Sequence, residues 1–148
     1  FIYPMGKKRI VKKNSSGVDS ALKARSLAKV VKKKILEGIL FVESSYNNTR
    51  LSLSDKSGNI LAWSSSGALG FKGAKKGTPF AASKIGELIG EKAQQAGIKE
   101  VAVVVKGVGS GRESAIRAFS TFGVEITSII DKTAVPHNGP KPRKPRHV

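Results

Sequence analysis

Several features that would mark other classes of protein are missing from this 148-residue chain. It contains no cysteine, which excludes a disulfide framework, a thiol nucleophile and any zinc site built on cysteine. Its longest apolar run, Val101 to Val105, falls far short of the ~20 residues that a membrane-spanning helix needs. The first residues lack the layout of a signal peptide, and we expect the chain either to be trimmed before Phe1 or to start at Met5.

Acidic residues are also scarce, and basic residues are concentrated towards the two ends. The chain has 27 Lys and Arg against 10 Asp and Glu, a net charge of +17. Residues 1–37 hold 11 basic and 2 acidic residues, residues 132–148 hold 5 and none, and residues 38–131 hold 11 and 8. The sequence therefore predicts a basic N-terminal arm (1–37), a core (38–131) and a basic, proline-rich C-terminal arm (132–148). Such arms bury too little apolar surface to offset chain entropy, so we expect them to be disordered in the free protein.

Two basic arms favour a nucleic acid as the partner, because lysine and arginine release the counterions that are condensed on phosphates. An anionic membrane surface is a weaker alternative, since no lipidation motif is present and no large aromatic residues interrupt the lysine runs. A free-standing nucleic-acid chaperone or DNA-coating protein is a further alternative that charge alone does not exclude. Aromatic residues make up only 6% of the chain, which argues against a generic single-strand binder.

Hydrophobic periodicity predicts a meander of three antiparallel strands at the start of the core, after a basic helix over residues 21–37. The apolar run 39–42 indicates a strand buried on both faces. Alternation over residues 50–54 indicates a half-buried second strand, and residues 60–64 form the third.

The second half of the core alternates helices with strands. Thr78 as N-cap and Pro79 at the first helical position start a helix that Gly97 ends. Its apolar face is Ala81, Ile85, Leu88, Ile89, Ala93 and Ala96. Residues 101–105 form a fully apolar strand, a capping box over 110–113 starts a second helix, and residues 124–130 form the last strand. Apolar positions 115, 118, 119 and 122 give that second helix its buried stripe.

The order β-β-β-α-β-α-β indicates an α/β fold with a mixed five-stranded sheet. The two fully apolar strands should lie in the middle, and right-handed crossovers then give the strand order 3-2-1-4-5 with strand 2 antiparallel. We expect helices on both faces, in a ribonuclease H-like topology.

Two glycine-rich stretches have the composition of phosphate contacts. The loop over residues 64–78 has four glycines, Lys72, Lys75, Lys76 and a phenylalanine (Phe71) suited to stacking, and it leads into a helix N-terminus. An ordinary flexible connection is the alternative. The second stretch, 106–112, does not match the spacing of a dinucleotide fingerprint. Arg112 in a first helical turn is unfavourable unless an anion, such as Glu113 or a phosphate, lies nearby.

Carboxylates raise the question of catalysis, because ribonuclease H-like enzymes hold two divalent metals between several acids. Glu43 and Asp131 are the two acids whose predicted positions, at strand ends, allow a shared site. Other acids have neighbours of opposite charge at helical spacing: Glu87 follows Lys84, and Glu113 precedes Arg117. The histidines lie in the tail, and the serines have no His/Asp partner at a recognisable spacing. We therefore expect no enzyme activity, catalytic residue, metal or cofactor, with a metal-dependent nuclease as the alternative.

Several motifs, in order along the chain, resemble one known family. They are Tyr46-Asn47-Asn48-Thr49, Trp63-Ser64-Ser65-Ser66-Gly67, Gly70-Phe71-Lys72-Gly73, Lys76-Gly77-Thr78-Pro79-Phe80-Ala81-Ala82, Lys106-Gly107 with Gly109-Ser110-Gly111-Arg112-Glu113, and Pro136-His137-Asn138-Gly139. Over about residues 37–148 the chain resembles the eleventh protein of the small ribosomal subunit, in its bacterial or organellar form. It departs from that family at Pro140, where a cysteine is usual, and in a tail with fewer arginines.

The resemblance implies a structural constituent of the small ribosomal subunit that acts in translation. It implies binding to small-subunit ribosomal RNA, contacts with neighbouring platform proteins, and a place near the messenger RNA exit, in cytoplasmic or organellar ribosomes. No membrane and no small-molecule substrate are implied, and the fold should resemble a ribonuclease H-like sheet without its active site. The residues that we expect to contact RNA, most of them taken over from the family's motifs, are Asn47, Asn48, Lys72, Lys75, Lys76, Lys106, Arg112, Arg117, His137, Asn138, Lys141, Arg143, Lys144 and Arg146.

Overall fold

The computed structural model describes residues 20–27 and 34–147 of the chain. These residues form three α-helices and five strands: α1 Ser20–Leu27, β1 Glu37–Ser44, β2 Thr49–Asp55, β3 Ile60–Ser65, α2 Pro79–Ala96, β4 Glu100–Gly107, α3 Gly111–Ser120 and β5 Glu125–Asp131. Two 3₁₀ helices, Gly67–Leu69 and Gly73–Gly77, lie between β3 and α2. The predicted order of strands and helices in the core is confirmed.

All five strands belong to one mixed sheet in the order β3-β2-β1-β4-β5. β2 is antiparallel to β1 and β3, whereas β1 is parallel to β4 and β4 to β5. The predicted strand order and the antiparallel second strand are confirmed. The carboxyl ends of β1, β3, β4 and β5 therefore meet at one end of the sheet, which we call its carboxyl end, and the opposite end is its amino end.

Both long helices cover the same face of this sheet, so the prediction of helices on both faces is wrong. α2 packs on β2 and β3, α3 packs on β1, and the two helices pack against each other. They approach so closely that a Cβ atom on Gly86 would lie 2.5 Å from the carbonyl oxygen of Ala115. The crossovers β3-α2-β4 and β4-α3-β5 run in the same direction across the sheet. Because both are right-handed, they place their helices on the same side.

The opposite face of the sheet stays open. On β1, Leu40 and Val42 are fully buried beneath the helices, whereas Phe41 on the other face is 38% exposed. The prediction that this strand is buried on both faces is therefore wrong. An apolar run places a strand in the middle of a sheet, but it does not establish that both faces are covered.

The predicted helix over residues 21–37 is too long. α1 covers Ser20–Leu27, residues 28–33 lie outside the described part of the chain, and Glu37 already belongs to β1. The carbonyl oxygen of Leu36 accepts hydrogen bonds from the backbone nitrogens of Lys99 and Glu100 at 2.9 and 3.2 Å. Pairing with the start of β4 therefore outweighs the local helix preference.

The first long helix, α2, follows its sequence signals. The hydroxyl oxygen of Thr78 accepts a hydrogen bond from the backbone nitrogen of Ala81 at 3.3 Å, and Gly97 ends the helix with φ of 77°. All six predicted apolar positions are buried in the core. These caps fix the N-terminus of α2 at the carboxyl end of the sheet.

Candidate nucleic-acid interface

Three segments meet at the carboxyl end of the sheet, and we call them the loop cluster: residues 45–48 after β1, 66–78 after β3 and 106–110, which include the last two residues of β4. The backbone nitrogen of Gly109 donates to the carbonyl oxygen of Ser44 at 3.0 Å, which joins the third loop to the last residue of β1, directly before the first loop. The hydroxyl of Ser110 donates to the carbonyl oxygen of Gly77 at 3.1 Å, which joins the third loop to the second. The glycine-rich loop is thus tied to its neighbours instead of being an unattached connection.

Glycines allow these loops to approach one another this closely. A Cβ atom on Gly77 would lie 2.2 Å from the carbonyl oxygen of Tyr46, and one on Gly107 would lie 2.1 Å from that of Ser44. Gly107 also has φ of 101°, a conformation that other residues rarely adopt. The hydroxyl of Ser66 donates to the carbonyl oxygen of Lys76 at 2.8 Å and fixes the base of the glycine-rich loop. The motifs at positions 67–77 and 106–111 are therefore needed for packing, whatever else they do.

Four of the predicted RNA contacts carry positive charge on this loop cluster: Lys72, Lys75, Lys76 and Lys106. Lys72, Lys75 and Lys106 are exposed and Lys76 is half-buried. Within residues 20–27 and 34–147, no acidic side chain forms an ion pair with any of them. Lys72, Lys75 and Lys76 lie in the segment that leads into the N-terminus of α2, where the helix dipole also favours an anion. The loop cluster therefore offers several unpaired cations at the same end of the sheet.

Two details of the loop cluster contradict the predictions. Phe71 is only 4% exposed and packs edge-to-face on Phe80 at 6.0 Å between ring centroids, so it is not available to stack on a base. Ser110 does not cap α3, because no side-chain hydrogen bond is made at its N-cap and the hydroxyl bonds to Gly77 instead. The capping-box interpretation is therefore wrong: the serine holds two loops together.

The two predicted arginines on α3 are both ion-paired. Arg112 pairs with Asp131 at the end of β5, and Arg117 pairs with Glu113 at 3.5 Å. Thr133 donates to Asp131 from its hydroxyl at 2.6 Å and its backbone nitrogen at 2.9 Å, and these bonds together with Arg112 lower the pKa of the carboxyl group from 3.8 to about 2. The anion that Arg112 needs is thus Asp131. Arg117 points away into solvent, with its side chain 82% exposed.

The carboxylates do not converge on a metal. Glu43 accepts from Arg50 at 2.6 Å and Asp131 is held by Arg112, so each acid at a strand end has its own arginine. Among the described residues there is no group of three or more Asp, Glu, His or Cys side chains that could hold a metal ion. The surface pairs predicted at Lys84–Glu87 and Glu113–Arg117 are confirmed.

The turn with Asn47 and Asn48 borders an open groove of about 450 Å³ at the carboxyl end of the sheet. The backbone nitrogen and carbonyl oxygen of Asn48 both bond to Ser45, which closes the turn. The Asn48 side-chain oxygen is buried and accepts no hydrogen bond within the described part of the chain. Asn47 is exposed. The structure therefore brings Asn48 beside Lys106, which also borders the groove, whereas Asn47 does not line it.

The predicted tail contacts form no hydrogen bond or ion pair with the loop cluster among the described residues. Lys132 and Thr133 still bond to the core, since the backbone nitrogen of Lys132 donates to Val105 at 2.8 Å and the Thr133 hydroxyl accepts from Gly107 at 3.2 Å. Beyond them, no hydrogen bond or ion pair links residues 134–147 to the other described residues. That exposed stretch contains His137, Asn138, Lys141, Arg143, Lys144 and Arg146.

Sequence reasoning did not select two cations at this end of the sheet. Arg50 lies beside Glu43 on the open face, and Lys132 borders a groove of about 350 Å³ together with Lys106. The alternation that buries Leu51 and Leu53 already placed Arg50 on the opposite face, so a signal for Arg50 was present. For Lys132 the sequence held no such signal, because its position follows from the bond to Val105.

Comparison with known proteins gives consistent matches. Residues 38–147 match the family described as ribosomal protein S11. The chain is 49% identical over 125 residues to the small ribosomal subunit protein uS11 of Leptothrix cholodnii, a match that covers 84% of this chain and 93% of that protein. It is 52% identical over 117 residues to uS11 of Treponema pallidum, covering 79% and 93% of the two chains. With uS11 of Dechloromonas aromatica it is 48% identical over 125 residues, covering 84% and 97%.

These matches define the class first: this chain is a structural protein of the small ribosomal subunit that acts in translation, and it is not an enzyme. In particular, it belongs to the ribosomal protein S11 family. The family resemblance noted from the motifs is thereby confirmed. None of the helices that the structure describes is long and apolar enough to cross a membrane.

Proposed function

We propose that this chain binds small-subunit ribosomal RNA through the loop cluster and the C-terminal tail. One observation carries the proposal: the loop cluster brings Lys72, Lys75, Lys76 and Lys106 to the same end of the sheet without an acidic partner among the described residues. Open α/β sheets commonly bind ligands outside the carboxyl ends of their strands. Here the ligand must be anionic, and an RNA backbone supplies many phosphates at once.

The ties between the loops support this assignment. Hydrogen bonds from Ser66, Gly109 and Ser110 hold the backbone of the loop cluster in place before any ligand arrives. A preformed surface loses less conformational entropy on binding than a mobile one, so more of the electrostatic attraction contributes to affinity. The tail acts differently: its cations are spread over an extended, proline-containing stretch that can follow the RNA.

The test replaces Lys72, Lys75 and Lys76 together with alanine and measures affinity for small-subunit ribosomal RNA over a range of salt concentrations. Losing three phosphate contacts should reduce the slope of log K against log salt by about 2 to 3. The matched control replaces Lys23, Lys56 and Lys84, each of which already pairs with a glutamate. The control removes the same formal charge but should leave the slope nearly unchanged. If the first variant binds within about 0.5 kcal/mol of the unaltered chain, these lysines do not contact RNA.

We also propose that the chain lies on the platform of the subunit in cytoplasmic ribosomes, beside neighbouring platform proteins and near the path by which messenger RNA leaves. The family membership and the extended basic tail support this placement. Cells expressing a tagged chain should yield it with small subunits from the cytoplasmic fraction, through a gradient at salt that strips loosely bound proteins. Photo-crosslinkers at Lys72 and Lys106 should then react with platform proteins, ribosomal RNA and bound messenger RNA. Sedimentation at the top of the gradient would instead indicate a free nucleic-acid binder.

A further inference from the structure

The open face of the sheet carries a row of side chains that crosses all five strands. The register pairs Trp63 with Ser52, Ser52 with Phe41, Phe41 with Val104 and Val104 with Ile130. Residues paired in this way point to the same side of a sheet. We call these five residues the central row.

The central row exposes large apolar side chains to solvent. Trp63 is 59% exposed, Ile130 47% and Phe41 38%. Scattered apolar residues on a surface need no explanation, but these three occupy alternate strands of one row on a single face. An exposed tryptophan and phenylalanine on an open sheet are also suited to stacking on unpaired bases, as in sheet-based RNA-binding domains.

The charges on either side of the central row specify which kind of partner fits. On the side towards the carboxyl end, the next row consists of Ser65, Arg50, Glu43 and Lys106, with the Glu43 carboxylate neutralised by Arg50. Lys132 joins Phe41, Val104 and Lys106 around the groove of about 350 Å³. The Phe41 ring is thus adjacent to two unpaired cations, Lys106 and Lys132, which is the arrangement that a strand with bases and phosphates requires.

The part of the open face nearest the amino end of the sheet is acidic and therefore repels a polyanion. Its last row, at the amino end of the sheet, pairs Glu37 with Glu100 and Glu100 with Glu125. Lys56 forms an ion pair with Glu37, but within the described residues no cation pairs with Glu100 or Glu125. An anionic strand is therefore confined to the central row and to the neighbouring row that contains Arg50 and Lys106.

We propose that the open face binds single-stranded RNA by stacking bases on Trp63 and Phe41, with phosphates contacting Lys106 and Lys132. The proposal rests on the proposed function and extends it from electrostatic attraction to recognition of unpaired bases. Trp63 and Phe41 lie two strands apart, roughly 10 Å, whereas stacked neighbours along a strand are only about 3.4 Å apart. The two bases that stack here must therefore be splayed apart, so a continuous duplex does not fit.

The single tryptophan of the chain provides a direct test, because all tryptophan fluorescence comes from Trp63. The full chain is titrated with a ten-nucleotide oligoadenylate and, in parallel, with an abasic oligomer that has the same phosphates but no bases. Binding is followed independently through a dye on each oligomer. We expect oligoadenylate to quench Trp63 and to reduce its access to iodide, while the bound abasic oligomer changes neither.

Substitutions distinguish base stacking on an aromatic ring from nonspecific apolar contact. Trp63→Leu and Phe41→Leu keep an apolar side chain but remove the ring, and each should weaken oligoadenylate binding about fivefold or more. Trp63→Phe, which retains a ring, should bind nearly as well as the unaltered chain. Ile60→Ala is the matched control, since Ile60 lies on the same strand and is 63% exposed but lies outside the central row. Circular dichroism and thermal unfolding of every variant show whether the fold is kept.

Two results would overturn the proposal: unchanged Trp63 emission when oligoadenylate is bound, or equal affinity of both leucine variants and the unaltered chain. After either result, we would assign the open face to a protein partner instead of RNA. The proposed function fails in a different way, namely if the variant without Lys72, Lys75 and Lys76 binds ribosomal RNA with the salt slope of the unaltered chain. The two experiments therefore test the two proposals separately.

Discussion

The two ends of the sheet differ in charge and in packing, although the core as a whole is nearly balanced in charge. At the carboxyl end, Lys106 and the lysines of the loop cluster have no acidic partner among the described residues, and the loops touch backbone to backbone. At the amino end, Glu37, Glu100 and Glu125 form one row. Net charge alone would not have separated these ends. The arrangement of charge, rather than its sum, determines where a polyanion can bind.

Packing around glycines shows the same contrast. Gly97 and Gly123, which lie just before the parallel strands β4 and β5, have positive φ, and a Cβ atom on either would meet nothing within 4 Å. At the carboxyl end, Gly107 also has positive φ, but its Cβ position is occupied by the backbone of Ser44. Gly97 and Gly123 thus serve only their turns, whereas Gly107 also allows the loops to come together.

Of the changes that we predict, removing the tail should have the largest effect on RNA binding. A chain that ends at Ala134 keeps the bonds of Lys132 and Thr133 to the core but loses Lys141, Arg143, Lys144 and Arg146. We expect the salt slope for ribosomal RNA binding to fall by about 3, because each neutralised phosphate contributes roughly 0.7–0.9. Filter binding at several salt concentrations measures the slope. An unchanged slope would mean that the tail makes no phosphate contacts.

Alanine substitutions at Gly107 and Gly97 should separate the contribution of close packing to stability from that of backbone conformation. Gly97→Ala should lower the free energy of unfolding by about 1–2 kcal/mol, the cost of a left-handed conformation. Gly107→Ala adds a clash with Ser44 and should cost about 2–5 kcal/mol. Urea unfolding of both variants gives the comparison. Equal losses would show that the loops move apart without penalty, and the loop cluster would then not be rigid.

A third comparison uses two lysines at opposite ends of β4. Lys106 and Lys99 are both exposed, and within the described residues neither forms an ion pair. Lys106→Ala should reduce the salt slope for RNA binding by about 0.7–0.9, the contribution of one phosphate contact. Lys99→Ala removes the same charge beside Glu100 and should leave the slope unchanged. If both variants behave alike, RNA binding depends on overall charge and not on which end of the sheet carries it.

Much of this contrast was predictable from the sequence. Thr78, Pro79 and Gly97 are local signals, so the bounds of α2 could be predicted, and the apolar runs of β1 and β4 gave the strand order. Contacts between distant segments could not be predicted. Ser110 reads as a cap in sequence, but its partner, Gly77, lies 33 residues away.

The open face was missed for a related reason. The run 39–42 is apolar on both faces, and apolar residues alone do not show whether a second layer covers them. The direction of the two crossovers determines this, and it requires the strand order together with the handedness rule. Applied together, these two facts place α2 and α3 on one side of the sheet. The sequence therefore already contained the information that contradicts helices on both faces.

Acid should destabilise the carboxyl end of the sheet by protonating Asp131. This is the smallest of the effects that we predict. The pKa of Asp131 is about 2 in the folded chain against 3.8 for the ordinary carboxyl group, because Thr133 and Arg112 bind the charged form. A pKa that is lower in the folded state gives stability above pH ~4, and this stability is lost as the pH falls from about 4 to 2. Asp131→Asn should therefore flatten the decrease of the urea midpoint between pH 5 and pH 2.

The matched variant for this test lies at the amino end. Asp55 also has a lowered pKa, because the side chain and backbone of Asn59 bond to its carboxylate. Asp55→Asn should flatten the acid dependence too, but without loosening residues 131–133. The protection of the Gly107 backbone amide, which Thr133 holds, is measured as exchange relative to the intrinsic rate at each pH. This protection should therefore fall at low pH in the unaltered chain and in the Asp55 variant. In the Asp131 variant this protection should already be low at neutral pH, and high protection there would show that Asp131 does not secure the start of the tail.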